Sequence, residues 1–402
     1  MSEPKEIIRI AAKGDGVTAD GQHVALSAPG DFVQPDGTLA HGPHHVDPPC
    51  RHFGTCGGCQ LQHVDNEALA QFVTDRVVLA AEGQGITSAR VAPVHLSPAG
   101  TRRRATLHAQ RRGKQILLGY REGRSHKIVD LKECPVLWPE LLALVKPLRA
   151  MLAVWEGRIS ADIELAMADQ GVTCGIKGIR PEGLAQTEAL LDFARDNGLA
   201  RLSADDGFGP ETVWEPEAAT ITLSRVPVAF PPGAFLQATE DGEAALVGSA
   251  KEWLAGVTPV ADLFSGLGTF AIALAGPEKV LAAEASRDAH LACQQAARAS
   301  GKPVFAQHRD LFRNPYMADE VSKFGAVLLD PPRAGAREQI EQIAASTISR
   351  VVYISCNPAS WAKDATRLVE AGFVLEEVRP VGQFRWSTHV ELASLFVRPS
   401  AA

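Results

Sequence analysis

One cysteine, Cys356, closes the apolar run Val351-Val352-Tyr353-Ile354-Ser355 and is followed at once by Asn357-Pro358. A β-branched and aromatic run of this length reads as a strand, and Asn-Pro ends it, so the thiol is delivered to the strand's mouth. A thiol offered there can serve as a nucleophile. Two further strand ends carry polar groups. Val327-Leu328-Leu329 runs into Asp330-Pro331-Pro332-Arg333, and Ala261-Asp262-Leu263-Phe264 runs into Ser265-Gly266-Leu267-Gly268-Thr269. A glycine turn, an acid and a thiol on three strand ends suggest a nucleoside-cofactor enzyme with a nucleophilic cysteine.

Gly266 and Gly268 permit a tight strand-to-helix turn at which backbone can approach a ligand. Glu284 follows about twenty residues later at the end of the next predicted strand, where a carboxylate can accept from both ribose hydroxyls. The full G-x-G-x-x-G is absent, which favours S-adenosylmethionine over a dinucleotide. After Asp330 the prolines impose an extended exit and hold the carboxylate at the sheet's edge. Amino methyltransferases carry an aromatic residue after such prolines; Arg333 in that place counts against amino methylation. A thiol also solves a particular problem. Carbon 5 of uracil is a poor nucleophile until a thiolate adds to C6, which makes the ring an enolate with charge at C5. A base must afterwards remove the C5 proton, and Glu391, in Thr388-His389-Val390-Glu391-Leu392, is the candidate.

A second constellation is Cys50-x5-Cys56-x2-Cys59 with Cys134-Pro135 far downstream. Four thiolates can hold zinc or an iron–sulfur cluster, and a clustered triplet plus a distant Cys-Pro favours the cluster over paired zinc knuckles. Cys174, in a predicted strand, and Cys293, on a predicted helix, read as packing residues.

The elements that position these groups divide the 402 residues into two or three domains, at about 100–200 residues each. Residues 1–48 form a short β module. Residues 49–229 form an α+β middle domain, and residues 230–402 alternate strand and helix as a doubly wound α/β domain. Strands are predicted near 259–264, 279–284, 303–307, 325–330 and 350–355, with helices near 269–275, 287–300, 336–346 and 359–371. Two last strands, near 373–379 and 390–397, lack a long helix between them, the pattern of a class I methyltransferase sheet that ends in an antiparallel strand. The net charge of −7 argues against nonspecific coating of nucleic acid. Cations are concentrated locally, from Arg102, Arg103 and Arg104 through Arg111, Arg112, Lys114, Arg121 and Arg124 to Lys127, and on antiparallel strands they could contact phosphates. No apolar run approaches a membrane span, and the start at Met1 lacks a signal-peptide core, so a cytoplasmic protein is expected.

Taken together, Cys-x5-Cys-Gly-Gly-Cys-x-Leu-Gln-His, Ser125-His126-Lys127-Ile128-Val129, Cys134-Pro135, Phe235-Leu236-Gln237, Asp262 to Gly268, Asp330 to Arg333, Ser355 to Pro358 and His389-Val390-Glu391 carry a resemblance over nearly all of Pro49–Phe396. The chain resembles the RNA uracil-C5 methyltransferase family, in particular its iron–sulfur branch that methylates a uridine of 23S ribosomal RNA. The resemblance implies that Gln237, Phe264, Glu284 and Asp330 contact S-adenosylmethionine, that Cys356 is the nucleophile and Glu391 the proton acceptor. It also implies a [4Fe–4S] cluster on Cys50, Cys56, Cys59 and Cys134, an RNA partner, which for that branch is 23S ribosomal RNA, no membrane partner, and a monomer. Transfer RNA as substrate, or an RNA-binding assembly protein without catalysis, are the alternatives. Three departures stand out: Thr239 where the family often has Asn, an N-terminal module shorter and less basic than the family's RNA-binding β-barrel, and poorly matching neighbours around Asp310, which could touch the adenine end.

Overall fold

Why the last domain winds as it does is written in its strands. Val260–Leu263 (β1), Val280–Glu284 (β2), Val304–His308 (β3), Ala326–Leu329 (β4) and Arg350–Ser355 (β5) are apolar for most of their length because a parallel sheet is covered on both faces. In the computed structural model, which describes residues 3–87 and 90–399, they pair in parallel in the order β3-β2-β1-β4-β5. Met1, read above for the lack of a leader, lies outside the described residues. Val374–Gly382 (β6) and Glu391–Val397 (β7) complete the sheet, with β7 inserted between β5 and β6 and antiparallel to both. That is the closing arrangement expected from the missing helix. The short strands Arg90–Val91 and His95–Leu96 add in parallel to β6.

The sheet's helices are Glu240–Trp253 (α1), Thr269–Leu274 (α2), Arg287–Ser300 (α3), Ala318–Val321 (α4), Arg337–Ala345 (α5) and Pro358–Glu370 (α6). Each begins where local chemistry allows. Thr239 caps α1 by accepting from Gly242 N–H, so the threonine noted above as a departure is itself a good cap. Ser286 caps α3, and Asn357 caps α6 with Pro358 at its first position. The core beneath includes Leu246, Trp253, Phe270, Leu328, Val352 and Ile354. These elements, with 73–96 and 220–235, form one compact unit.

The other unit comprises 3–72, Ser97–Ala219 and Phe384–Thr388. Its first sheet runs His23–Val24, Gly16–Thr18, Lys5–Ile10, Phe32–Val33, Leu39–Ala40. Its second runs Glu211–Trp214, Arg201–Asp205, Gly171–Lys177, Ser160–Ala168, Arg104–Arg112, Gln115–Gly119. All pairs in the second are antiparallel except Gly171–Lys177 with Arg201–Asp205, whose crossover is the helix Leu184–Asp196. Its core is built from Leu107, Leu148, Leu152, Ile163, Leu190 and Leu202.

The basic stretch needs correction. Along Arg104–Arg112 the residues Ala105, Leu107 and Ala109 face the core, and Arg103 shares their parity and is only 6% exposed. Arg111, on the same parity, donates to the carbonyls of Leu152, Ala153 and Trp155 at the end of the helix Val145–Leu152. Both are structural. Arg112, Lys114, Arg121, Arg124 and Lys127 are the exposed cations of the stretch. Among the described residues no helix is long and apolar enough to cross a membrane.

Candidate active site

Cys356 leaves β5 directly into the cap of α6. Asn357 uses both ends of its amide: Oδ1 accepts from Ala359 N–H at 3.2 Å and Nδ2 donates to the Arg333 carbonyl at 2.9 Å. The cap thereby ties the cysteine turn to the loop after Asp330. Asp364 on α6 clasps the same loop from below, accepting from Ala336 N–H and from the Tyr353 hydroxyl, each at 2.8 Å. A Cβ on Gly335, whose φ is +87°, would lie 2.7 Å from that carboxylate, so the loop closes only around glycine. The Arg333 guanidinium reaches the His389 ring, at 2.8 Å from Nδ1. Two residues on, Glu391 opens β7 and is 2% exposed.

Strand register thus gathers Asp330 from β4, Cys356 from β5 and Glu391 from β7 at the sheet's carboxyl edge. Their electrostatics are mutual. Burial, then the charges of Glu391 and Asp330, push the Cys356 thiol up to about 11, while Arg333 pulls it down. Asp330 is raised well above the usual carboxylate range, first by burial, then by Glu391 and Asp262. Gln237 Nε2 donates to Asp330 Oδ2 at 3.2 Å.

The residues expected to hold a nucleoside lie on and after β1 and β2. Gly268, at φ +89°, caps α2, and a Cβ there would meet Cys293 Sγ at 2.6 Å, which explains both the glycine and the buried cysteine. Glu284 accepts from Gly266 N–H at 2.9 Å and from Ser286 N–H at 2.6 Å, and its oxygens retain further lone pairs for a diol. Phe264 is held at φ +64°, costly for a bulky residue and characteristic of ligand sites. Its ring lies 5.4 Å from Phe312. Asp310 accepts from Phe312 N–H at 3.0 Å, so it shapes the loop that presents this second ring. Beneath, Asp262 accepts from Ala271 N–H at 2.8 Å while its Oδ1 has no partner among the described residues, and burial, with Glu284 adding, lifts it to about 8.

The four cysteines of the other unit are brought together by hydrogen bonds between distant segments. Arg51 binds Glu133 through both its backbone N–H and its guanidinium, which places Cys50 beside Cys134. Gly57 N–H donates to the Arg121 carbonyl at 2.9 Å, and a Cβ there would meet that oxygen at 2.9 Å. Burial pushes Cys59 up to about 12 and also raises Cys56 and Cys134, and each of these three feels charge on others of the quartet, including Cys50. Among the described residues no three such groups surround a point where a single ion could sit. Cys50, Cys56, Cys59 and Cys134 are all partly buried, and four thiolates are a donor set that either zinc or an iron–sulfur cluster accepts. All seven cysteines are free of disulfides.

Two participants escaped the sequence reading: Asp364 and Gln383, the latter just after β6. Their hydrogen-bond partners lie too far along the chain for spacing to reveal.

Residues 233–398 match the family model described as tRNA (Uracil-5-)-methyltransferase. A Zymomonas mobilis protein named as an RNA methyltransferase is 51% identical over 98% of this chain and all of its own. The 23S rRNA (uracil(1939)-C(5))-methyltransferase RlmD of Pectobacterium carotovorum is 33% identical, over 89% of this chain and 82% of its own. The crystal structure of Pyrococcus abyssi tRNA (uracil-54, C5)-methyltransferase with S-adenosyl-L-homocysteine superposes with a TM-score of 0.76 at 22% identity, covering 98% of this chain and 100% of that one. At that identity the likeness establishes the class I α/β fold with its N-terminal β modules.

Proposed function

Because this chain belongs to the RNA (uracil-5-)-methyltransferase family, and is therefore an S-adenosylmethionine-dependent enzyme acting on C5 of uridine in RNA, we propose that it methylates a uridine of 23S ribosomal RNA through Cys356 and Glu391. The convergence of Cys356, Asp330 and Glu391 on one sheet edge supports the chemistry. S-adenosylmethionine would supply the methyl group, while burial and then the neighbouring Glu391 and Asp330 hold the Cys356 thiol protonated. Cys356 gives its proton to solvent water, its thiolate forms a bond to C6, and the electron pair displaced from the C5–C6 double bond makes C5 nucleophilic. C5 takes the methyl group as the carbon–sulfur bond of the cofactor breaks. Glu391 then accepts the C5 proton, the C5–C6 double bond re-forms, and the bond between C6 and Cys356 breaks. Arg333, beside His389, stands where it can steady the ionised thiol. Glu284 would hold the ribose hydroxyls, Phe264 the adenine, and Gln237 and Asp330 the remainder of the cofactor.

Cys50, Cys56, Cys59 and Cys134 would hold a [4Fe–4S] cluster, whose part is structural, since methyl transfer needs no redox step. The complete cysteine set and the likeness to the 23S enzyme favour ribosomal RNA; the family description and the superposed structure, both named for transfer RNA, favour the second reading. We read the protein as a cytoplasmic monomer. The deciding experiment offers 23S fragments and transfer RNA with labelled cofactor and maps the product. Label in 23S RNA alone is the expected outcome, and label only in transfer RNA overturns the assignment.

A further inference from the structure

Gln383 is 1% exposed and Gln237 3%. Gln383 Oε1 accepts from the backbone N–H of Ala238 at 2.9 Å and of Thr239 at 3.4 Å, just before α1. Its Nε2 donates to Gln237 Oε1 at 2.8 Å, and Gln237 Nε2 in turn donates to Asp330 Oδ2. The two ends of an amide are alike in shape, so their assignment follows from their partners. Here the partners leave one choice. A backbone N–H can only donate, so Gln383 must offer it oxygen and must turn its NH₂ toward Gln237. Gln237 must then offer oxygen to Gln383 and NH₂ to Asp330. The packing is close: a Cβ on Gly242 of α1 would lie 2.7 Å from Gln383 Cβ.

We propose that Gln383 is a positioning residue whose backbone-anchored amide fixes the polarity of Gln237, so that a donor and never an acceptor faces Asp330. Its functional weight rests on the reading above that Gln237 and Asp330 contact the cofactor. A rotated Gln237 would set its NH₂ against the NH₂ of Gln383 in a buried site, where an unmatched polar pair is costly. The charged neighbourhood is defined. Asp330 faces Glu391 on β7, Asp262 on β1 and Cys356 after β5. The strand next to the end of β6 carries His95, whose Nε2 lies 2.7 Å from Asp241 of α1.

Gln383→Glu tests the relay with little change of shape. The carboxylate still accepts from Ala238 and Thr239 but has no proton to give Gln237, so nothing then fixes the polarity of Gln237. Acidification returns a proton to the new carboxyl and with it the donor. Binding of S-adenosylhomocysteine to the purified full-length protein, followed by calorimetry, should be about tenfold weaker than wild type at pH 8 and recover toward pH 6. Wild type should show no such recovery. A loosened fold would not be mended by acid, so weakening without recovery overturns the relay. Gln383→Met, which lacks both donor and acceptor, should bind weakly at every pH, and wild-type affinity in it also overturns the proposal. Asp330→Asn separates the two layers. If it weakens binding while Gln383→Glu does not, the relay falls and the cofactor role of Asp330 stands. If Asp330→Asn binds as wild type does, both fall.

Discussion

Replacing Glu391 with Gln removes a buried charge while keeping side-chain size, and the backbone pairing of β7 with Val381 is untouched. Two effects follow in opposite directions. Cys356 sits at about 11, against an ordinary 9.0, and Glu391 is the largest charge raising it. At pH 7.5 only about 0.03% of such a thiol is ionised, compared with about 3% of an unperturbed one. Losing one close negative charge lowers the thiol by about one unit, so Cys356 should alkylate about tenfold faster at pH 7.5. The rate should rise with pH in both proteins, with the midpoint shifted to lower pH in the variant. Turnover should move the other way, because nothing then accepts the C5 proton and the methylated base stays joined to Cys356. Site-resolved mass spectrometry of iodoacetamide-treated protein reads the first effect. An RNA-linked band that resists denaturant reads the second. An unmoved or raised alkylation midpoint would refute the electrostatic argument. Normal turnover without adduct would refute Glu391 as proton acceptor.

Cys356→Ser should abolish turnover and leave S-adenosylhomocysteine binding within about twofold, since a hydroxyl supplies too little alkoxide to add to C6; near-normal methylation would remove Cys356 from the mechanism. Anaerobically prepared protein should be brown with about four irons per chain, and stripping the iron or introducing Cys59→Ser should lower thermal stability of the unit that holds Cys50, Cys56 and Cys134; stoichiometric zinc without iron would contradict the cluster. Asp364→Asn should weaken the clasp on the 333–336 loop, costing about 1–3 kcal/mol of stability and shifting the alkylation profile of Cys356, because Arg333 is carried on that loop; calorimetry and the same alkylation series check it. Replacing Arg121, Arg124 and Lys127 together with alanine should weaken RNA binding and flatten its dependence on salt, whereas replacing the buried Arg103 should mainly unfold; filter binding across a salt series distinguishes the two.

Much of the catalytic unit was legible in the chain. Val327-Leu328-Leu329 and Val351 to Ser355 read as strands because a doubly covered parallel sheet demands continuous apolar runs. Their ends announced themselves through residues that cannot continue a strand. The basic stretch was legible too, but only with parity applied. Arg103 and Arg111 alternate in step with Ala105, Leu107 and Ala109, so the burial of Arg103 and the inward turn of Arg111 could have been read from the two-residue period. Counting charges along the sequence treated all as equal.

Local patterning by itself determined where the strands end, which residue types wait at those ends, and that a thiol and two acids would be available, since these follow from side-chain chemistry and short-range sterics. The tertiary structure alone decided what those groups are to one another. It set β7 between β5 and β6, bringing Glu391 within electrostatic reach of Cys356, whose thiol is raised first by burial and then by that charge. It joined Arg51 to Glu133 so that Cys50 meets Cys134, and it laid Gln383 across the entrance of α1 to orient Gln237. Hydrogen bonds and Coulomb interactions act over a few ångströms of space whatever the distance along the chain, so their pairing is a property of the packed fold.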